Sequence, residues 1–446
     1  MFKKLFRTFT SVTVVAALGI SVALAQDPPP KQAKDEAEVE LFKQSNPQTN
    51  PNATTRLSAL SSWKEKYPDT AFKLERALFY ALTYQQLNQG ANMLGSAKEV
   101  LAIDPAHFYA LGWVASLTES LITATALQPT PDNLSTGEKA AQALLQTQKA
   151  PTGVTDEQWK QMKPPFDAMA HKTLGFIAGQ RKQFDVAEQE YIKSAQIDPT
   201  QALVAYAVGS SILKQNKPER YPEALFYIAR ATNLGGPGAL PPALKKPYDD
   251  FLVRSYAQFH GQDDAGLKEL RQIAISQPMP PAGFTIKDKN TIQAEKEAEF
   301  AKSNPQLAFW KTLKEGLSAE NGEQYFEMGV KDAQLPPPAI KKLKGKLVSM
   351  KPAIRPNQLV LAMDGDTPEV TLKFETNLPG KADPGTEIEF EGVGDSFTKS
   401  PFMLTFKVED KDKITGWPAQ AAAPSGQKKA APGAGVKKAA PAPAKK

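Results

Sequence analysis

The sequence predicts an α+β protein of more than one domain: an α-helical superhelical array followed by a small five-stranded antiparallel β-barrel. Two changes of pattern along the chain support this fold class. From about Ala53 to Gln277, apolar residues recur every three or four positions, which is the period of an amphipathic helix. From about Lys341 the apolar period changes to two, which is typical of strands. The chain has 446 residues, enough for two or three domains.

The first 25 residues have the features of an export signal. They begin with three cations, Lys3, Lys4 and Arg7. An apolar run from Ser11 to Leu24 follows, and Ala23-Leu24-Ala25 is a small-x-small cleavage site. We therefore expect a cleavable signal peptide over residues 1–25 and a periplasmic or secreted protein. The alternative is an uncleaved membrane anchor, for which the apolar run is short.

Composition divides the remaining chain into five segments. The expected segments are a flexible Pro/Gln/Asn-rich linker (26–52), a helical repeat domain (53–278), a Pro-rich connector with two helices (279–340), a β-barrel domain (341–418) and a disordered Ala/Pro/Lys tail (419–446). The two helices expected in the connector are Thr291–Lys302 and Pro305–Leu317. The chain has no cysteine, which excludes disulfides and thiolate chemistry.

The positive charge lies at the two ends of the chain. The formal net charge is +6, but residues 1–25 hold three cations and residues 419–446 hold six lysines, with no acid in either segment. Subtracting both leaves −3 for the body, which argues against nucleic acid as a partner. The tail is expected either to make a weak contact with anionic envelope polymers or a membrane surface, or to act only as a solubilising segment.

The segment HKTLGFIAGQRKQFDVAEQEYIKSAQIDP, residues 171–199, alternates small and large residues in a regular way. Its small residues are Gly175, Ala178 and Ala187, its large residues are Leu174, Phe184 and Tyr191, and Pro199 ends it. Two helices that cross closely need this arrangement, and a proline stops the second helix. The segment resembles a tetratricopeptide repeat (TPR), which has a period of about 34 residues. His171 occupies the position where that family has tryptophan.

Neighbouring segments continue the same spacing. The next unit places Val208, Gly209, Ile212, Tyr221, Ala224, Ile228 and Ala231 at the matching positions, and a further unit begins near Val253. Upstream, Asp104-Pro105 ends a helix as Asp198-Pro199 does. The pattern predicts four or five units with degenerate outer units. The alternative is an unrelated helical bundle.

The resemblance to TPR proteins implies a concave groove lined by the first helix of each unit. Carried over to this sequence, the groove residues are Tyr109, Met169, Lys172, Phe176, Leu203, Tyr206 and Ser210. This mixture suits an extended peptide or a helix of a partner protein. The alternative is that Phe176 and Tyr206 pack into neighbouring units. The resemblance thus implies a non-catalytic protein–protein interaction scaffold, and the N-terminal residues add the expectation that it is exported; the sequence does not identify its partner.

In the β domain, the alternation places Val370, Leu372, Phe374, Ile388, Phe390, Phe402, Leu404, Phe406 and Val408 on inward faces. The strand order resembles an OB-fold, and a partial immunoglobulin-like sandwich is the competitor. An alternative function is binding of envelope polysaccharide, with Phe397, Phe402 and Trp417 as aromatic platforms.

Candidate catalytic and metal-binding residues are few. Glu387, Glu389 and Glu391 alternate along one strand at a spacing that inverting glycosidases use, which leaves a hydrolase as the less favoured alternative. His107, His171 and His260 have no partner at a metal-ligand spacing, and Asp364 and Asp366 fit a hairpin turn better than a calcium loop. We therefore expect no enzyme activity, no cofactor and no metal.

Overall fold

A computed structural model describes residues 31–418 of the chain. The predicted signal peptide (1–25), the first residues of the predicted linker and the predicted tail (419–446) lie outside the described residues. The chain divides into two compact units, of which the first ends at Lys289 and the second begins at Asn290. The described residues of the first unit form four apolar clusters, and those of the second unit form one.

The first unit is a TPR-like array in which consecutive helices pack against each other. Its helices are α1 (Glu36–Ser45), α2 (Ala53–Lys66), α3 (Lys73–Gln86), α4 (Gly90–Ile103), α5 (Phe108–Thr123), α6 (Pro131–Gln146), α7 (Asp156–Gln180), α8 (Phe184–Ile197), α9 (Ala202–Lys214), α10 (Tyr221–Asn233), α11 (Pro242–Phe259) and α12 (Asp264–Ser276). Taken in order they form six pairs, each joined by a short connection. The sequence pattern predicts four or five such units.

Each first helix from α3 to α11 ends in the same way. Two positions after its last residue stands a residue with positive φ, between 55° and 106°. These residues are Asn88, Thr125, Lys182, Asn216 and Gly261. The amide of the next residue, in three of the pairs, donates to a carbonyl five positions back, as Gln183 does to Ala178 at 2.9 Å. This closure satisfies carbonyls at the helix end and turns the chain into the second helix.

Residues 36–45 correct the expectation of a flexible linker over residues 26–52. They form α1, which begins at the N-cap Asp35 and packs on α2. Glu38 is fully buried and accepts a hydrogen bond from the indole nitrogen of Trp63 at 3.1 Å. The Tyr67 hydroxyl also donates to the Asp35 carboxylate, at 2.5 Å. Leu41 and Phe42 also pack on the apolar cluster around Trp63. Two adjacent apolar residues and polar anchors show no helical period, so the sequence pattern did not reveal this helix.

The second unit begins with three helices, α13 (Lys289–Ser303), α14 (Pro305–Ser318) and α15 (Gly322–Gly329). The two predicted helices of the connector correspond to α13 and α14, whereas α15 was not predicted. The prediction of a separate connector over residues 279–340 differs from the structure in another way. Trp310, Leu313 and Phe326 are buried and belong to the same apolar cluster as the sheet. The helices α14 and α15 are therefore part of the β domain.

The sheet of the second unit has eight strands within the described residues. They are β1 (Gln334–Leu335), β2 (Leu343–Lys351), β3 (Gln358–Ala362), β4 (Val370–Phe374), β5 (Glu387–Phe390), β6 (Gly392–Lys399), β7 (Phe402–Val408) and β8 (Ile414–Thr415). Their order is β1-β6-β7-β4-β3-β2-β5-β8. The pair β4–β7 is parallel, with Leu372 opposite Phe406, and the other strand pairs are antiparallel.

The predicted five-stranded antiparallel OB-like barrel is therefore wrong in strand number and direction. Two short edge strands escape a search for alternating residues because two residues show no period. The segment 387–399 is also divided. Its start pairs with β2 and its end pairs with β7, and Glu391 separates the two parts. The inward faces are nevertheless confirmed: Val370, Leu372, Ile388, Phe390, Leu404 and Phe406 are fully buried.

Candidate functional site: the first helices of the array

The helices α7 and α8 show how the sequence builds a TPR-like pair. A Cβ atom added to Gly175 would lie 2.9 Å from the ring of Tyr191, and one added to Gly209 would lie 2.7 Å from both the Ala224 carbonyl oxygen and Ile228. Ala187 is completely buried. The predicted pairing of small and large residues is therefore confirmed at these positions. Consecutive helices pack in order, α7 against α8 and α8 against α9, and the first helices α5 and α7 also contact each other.

His171 holds α7 to α8 through a polar contact. Its Nδ1 lies 2.7 Å from Glu190 Oε2, and both side chains are largely buried. Burial raises the pKa of the Glu190 carboxyl, but the hydrogen bonds from His171 and Lys193 outweigh it, so the pKa lies below its usual value. The residue at the position where TPR units have tryptophan thus contributes a hydrogen-bonded contact between the two helices.

Tyr109, the predicted groove residue on α5, is covered by the beginning of α7. Its hydroxyl lies 3.8 Å from the sulfur of Met162, and its ring lies 6.4 Å from that of Phe166. The neighbouring Phe108 packs edge-on against Trp159, with ring centroids 5.0 Å apart. Residues 156–166 of α7 therefore occupy the surface over Tyr109.

Tyr206, the predicted groove residue on α9, is covered in the same way by α11. Its ring stacks on Tyr248 with centroids 3.8 Å apart and an angle of 15° between the planes. Tyr248 follows Pro247, just as Phe166 follows Pro164 and Pro165, and these prolines lie inside their helices. A proline lacks the amide that would continue the helix ladder. In both cases an aromatic residue directly after a proline packs on the tyrosine of the preceding first helix.

The predicted groove residues on α7 are partly engaged by α5. Lys172 forms an ion pair with Glu119 at 3.0 Å, and 37% of its side chain is exposed. Phe176 packs against a small cluster that contains Ile122 and Leu134. Met169 packs against the core around α5. The alternative, in which the aromatic residues pack into neighbouring units, is the arrangement that the structure has for Phe176 and Tyr206.

Leu203 is the exposed apolar residue of the predicted set. It lies on α9 with 41% of its surface exposed, and Ser210 lies two turns further along the same helix, half-buried. Leu203 and Met169 are 34 residues apart, as are Tyr206 and Lys172, so they take equivalent positions in successive pairs. We call Lys172, Phe176, Leu203, Tyr206 and Ser210 the α7–α9 face. Sequence reasoning missed Trp159, Met162 and Tyr248, which limit this face.

The candidate catalytic carboxylates do not converge on a site. Glu387 pairs with Lys344 at 2.8 Å, Glu389 accepts from the Thr415 hydroxyl at 3.0 Å, and Glu391 pairs with Lys413 at 3.0 Å. The hydrogen bond from Lys344 lowers the pKa of Glu387. A general acid needs a raised pKa. These groups therefore do not form the acid–base pair that a glycosidase requires.

The remaining candidates have structural partners. His107 caps α5 by accepting from the Ala110 amide at 3.3 Å, and His260 contacts the Lys287 carbonyl and Asp263. Asp364 pairs with Lys311 at 3.2 Å. Within residues 31–418, no group of three or more histidine or acidic side chains is placed to hold a metal ion. None of the helices in that same range is long and apolar enough to cross a membrane.

The three predicted aromatic platforms pack inward. Phe397 lies 5.0 Å from Phe326 and Phe402 lies 6.0 Å from Trp310, measured between ring centroids. The indole nitrogen of Trp417 donates to the Pro379 carbonyl at 2.8 Å. All three rings pack on the core of the sheet. They do not form the row of exposed rings on which sugars would stack.

No family model matches the chain, and no curated protein matches it. Among solved structures, the chain is similar to the MamA protein (16% identity, 44% of this chain and 90% of that chain, TM-score 0.32). It is also similar to a thermophilic TPR protein of Thermus thermophilus (12%, 49% and 98%, TM-score 0.28). A third is a tetratricopeptide repeat protein from Parabacteroides merdae (13%, 54% and 100%, TM-score 0.24). Scores this low carry no functional argument.

Proposed function

We propose that the protein is a non-catalytic scaffold whose α7–α9 face binds a peptide segment of a partner protein. The observation that carries this proposal is the 34-residue register that places Lys172 and Leu203 on successive first helices, both accessible to solvent. An apolar anchor on α9 and a cation on α7, which would exchange its partner Glu119 for a ligand carboxylate, would suit a peptide that carries an apolar side chain and a carboxylate. Phe176, Tyr206 and Ser210 would form the floor of this site.

Site-specific photocrosslinking in the producing cell tests this face. A photoreactive amino acid at Leu203 reports on the α7–α9 face, and the same amino acid at Val186, which lies on α8 and is 42% exposed, is the matched control. We expect one discrete protein adduct from position 203 and none from position 186. The adduct should weaken when Lys172 is changed to Glu. Equal adducts from both positions, or none from position 203, would contradict the proposal.

We also propose that the protein is exported. The support is the order of the cations Lys3, Lys4 and Arg7, the apolar run and the Ala23-Leu24-Ala25 site. The test is N-terminal sequencing of protein recovered from the producing cell, for which we expect Gln26 as the first residue. The variant Ala25→Leu should retain the leader, because signal peptidase requires a small residue there. An intact N-terminus in the unaltered protein would contradict export by cleavage.

A further inference from the structure

Two positions recur on the first helices α5, α7, α9 and α11, counted back from the positive-φ residue of the turn after each helix. The position thirteen residues before that turn residue, which we call the leading position, holds Gly112, Met169, Leu203 and Tyr248. The position ten residues before it, which we call the trailing position, holds Ala115, Lys172, Tyr206 and Phe251. These positions allow successive pairs of the array to be compared residue by residue.

Where α9 meets α11, the chain fills the junction with aromatic rings of its own. Tyr248, at the leading position of α11, stacks on Tyr206, at the trailing position of α9, with ring centroids 3.8 Å apart. Phe251 adds a third ring, 6.3 Å from that of Tyr206. At this junction the leading residue of the later helix therefore packs on the trailing residue of the earlier one.

Where α5 meets α7, small and aliphatic groups close the corresponding junction. Ala115, at the trailing position of α5, is completely buried, and Met169, at the leading position of α7, packs against the same core cluster. A Cβ atom added to Gly112 would lie 3.5 Å from the terminal methyl group of Met169. The leading residue of the later helix again packs towards the earlier helix.

The junction between α7 and α9 lacks such a closure. Both helices pack on α8, and the register gives Lys172 the trailing position of α7 and Leu203 the leading position of α9. The side chain of Lys172 is 37% exposed, and Leu203 is 41% exposed. Whereas the chain itself closes the junctions on either side, this one offers an apolar side chain and a lysine stem to an incoming group.

We propose that the peptide bound by the α7–α9 face is anchored by an aromatic side chain, which occupies the junction of Lys172 and Leu203 as Tyr248 occupies the junction at Tyr206. This inference rests on the proposed function and names the chemistry of the partner. The ring would pack on Leu203 and on the aliphatic stem of Lys172, which leaves the lysine ammonium to a carboxylate of the same peptide. An aromatic ring buries more surface than leucine and is attracted by a neighbouring ammonium.

A short segment of the chain itself provides the probe. Residues 243–250, Ala-Leu-Lys-Lys-Pro-Tyr-Asp-Asp, contain Tyr248 followed by two carboxylates. As a free peptide with blocked ends, this segment supplies both the ring and the carboxylate that the junction would bind. The matched peptide carries Tyr248→Leu, which keeps an apolar side chain and removes the ring. Ligand-observed NMR titration with the full-length protein measures the affinity of each peptide.

We expect the tyrosine peptide to bind, and the Tyr248→Leu peptide to bind about fivefold more weakly. In the protein, Leu203→Ser should weaken binding of the tyrosine peptide about tenfold, because it removes the apolar contact. The matched control is Val186→Ser, on α8, where the replaced side chain is 42% exposed and binding should not change. Circular dichroism checks that both variants are folded. If Leu203→Ser does not fold, Lys172→Ser provides a second test and should weaken binding severalfold.

Different failures of this experiment have different meanings. Equal affinity of the two peptides, still dependent on Leu203, would overturn the aromatic anchor and leave the proposed function standing. Binding that none of the variants weakens would overturn the junction as the site. No binding of either peptide would also overturn this inference, because the probe carries both groups. The photocrosslink from position 203 reports on the proposed function separately, so a discrete adduct there shows which of the two has failed.

Discussion

At the scale of single residues, glycines decide how closely the helices of a pair approach. Gly175 and Gly179 lie on the same helix, four residues apart, yet a Cβ on Gly175 would press into Tyr191 while one on Gly179 would meet no atom within 4 Å. Substitutions at these two positions therefore distinguish the effect of side-chain packing on stability from the effect of helix propensity. Sequence spacing alone identified Gly175 as a packing residue, because only that glycine falls on the repeat's small-residue position.

We predict opposite effects for the same substitution at these two glycines. Gly175→Ala should lower the free energy of unfolding by about 1–3 kcal/mol, because the added methyl group overpacks the contact with Tyr191. Gly179→Ala should raise it by about 0.5–1 kcal/mol, because alanine loses less backbone entropy in a helix. Urea denaturation followed by circular dichroism measures both. Equal destabilisation by the two substitutions would contradict the packing assignment.

The Glu190–His171 contact should make stability depend on pH. The pKa of Glu190 lies below its ordinary value of 4.5, so the folded state binds its proton less tightly than the unfolded state. The contribution of Glu190 is therefore present above pH 4.5 and is lost as the pH falls through the lower, folded-state pKa. We expect Glu190→Gln to be less stable than the unaltered protein at pH 7. The difference between their thermal midpoints should narrow below pH 4.5. A difference that stays constant down to about pH 3 would contradict this.

At the scale of elements, the first helices from α3 to α11 end in the same turn, with a positive-φ residue, although the residue type at this position varies. Five different positions adopt positive φ two residues after a helix end, and they hold Asn, Thr, Lys, Asn and Gly. Glycine and asparagine adopt this conformation most easily, so Asn88, Asn216 and Gly261 carry a recognisable signal. Lys182 and Thr125 carry none. Only an alignment with the neighbouring units would identify these two residues as positive-φ positions.

We therefore expect a substitution at Lys182, in the turn after α7, to increase the stability of the protein. Lys182→Gly should raise the free energy of unfolding by about 0.5–1 kcal/mol, because glycine has no Cβ to clash at a φ of 60°. Lys98→Gly, at an exposed position inside α4, is the control and should lower it by about 1 kcal/mol. Chemical denaturation midpoints distinguish the two. A loss of stability from Lys182→Gly would show that the lysine side chain contributes more than the backbone conformation costs.

The helices and strands that the sequence predicted have a regular apolar period, and those that it did not predict lack one. The helices α7 to α10 and the buried strands β4 and β7 follow a clear apolar period, and the structure contains them close to the expected residues. The helix α1 depends on the buried carboxylate of Glu38, and β1 and β8 have two residues each. Such elements are stabilised by partners far away in sequence, so no local period reveals them.

For the candidate site, the sequence predicted on which helices the residues lie but not which side chains cover them. The register gives Lys172 and Tyr206 one equivalent position of the repeat and Met169 and Leu203 another, and all four residues lie on α7 and α9. It did not reveal that Tyr248 stacks on Tyr206 or that Trp159 and Met162 extend over α5. Those contacts come from the parts of α7 and α11 around their internal prolines, Trp159 and Met162 before Pro164 and Tyr248 directly after Pro247, which a period of 34 residues does not include.

At the scale of the whole molecule, we expect the two units to unfold in separate transitions, because the described residues of the first unit form four apolar clusters and those of the second form one of their own. The helix α13 runs from the last residue of the first unit into the second, and none of its residues is buried. The stability of each unit should therefore depend on its own core.

Matched core substitutions test this independence. Leu144 in the first unit and Leu317 in the second are both fully buried, so Leu→Ala should cost about 2–5 kcal/mol at either position. Differential scanning calorimetry should show two transitions. We expect Leu144→Ala to lower the midpoint of only one and Leu317→Ala to lower only the other. A single transition, shifted by both variants, would show that the units unfold together.

The stacking of Tyr248 on Tyr206, and of the first turns of α7 over Tyr109, has a consequence for any competing ligand. At these two tyrosines the chain already supplies, in cis, the kind of aromatic contact that an incoming peptide would make in trans. A tethered segment acts at an effective concentration on the order of millimolar. A partner present at micromolar levels would gain little from displacing it. On the proposed function, selectivity would be set on the stretch left uncovered, around Lys172 and Leu203, and a ligand that contacts only this stretch would need few residues.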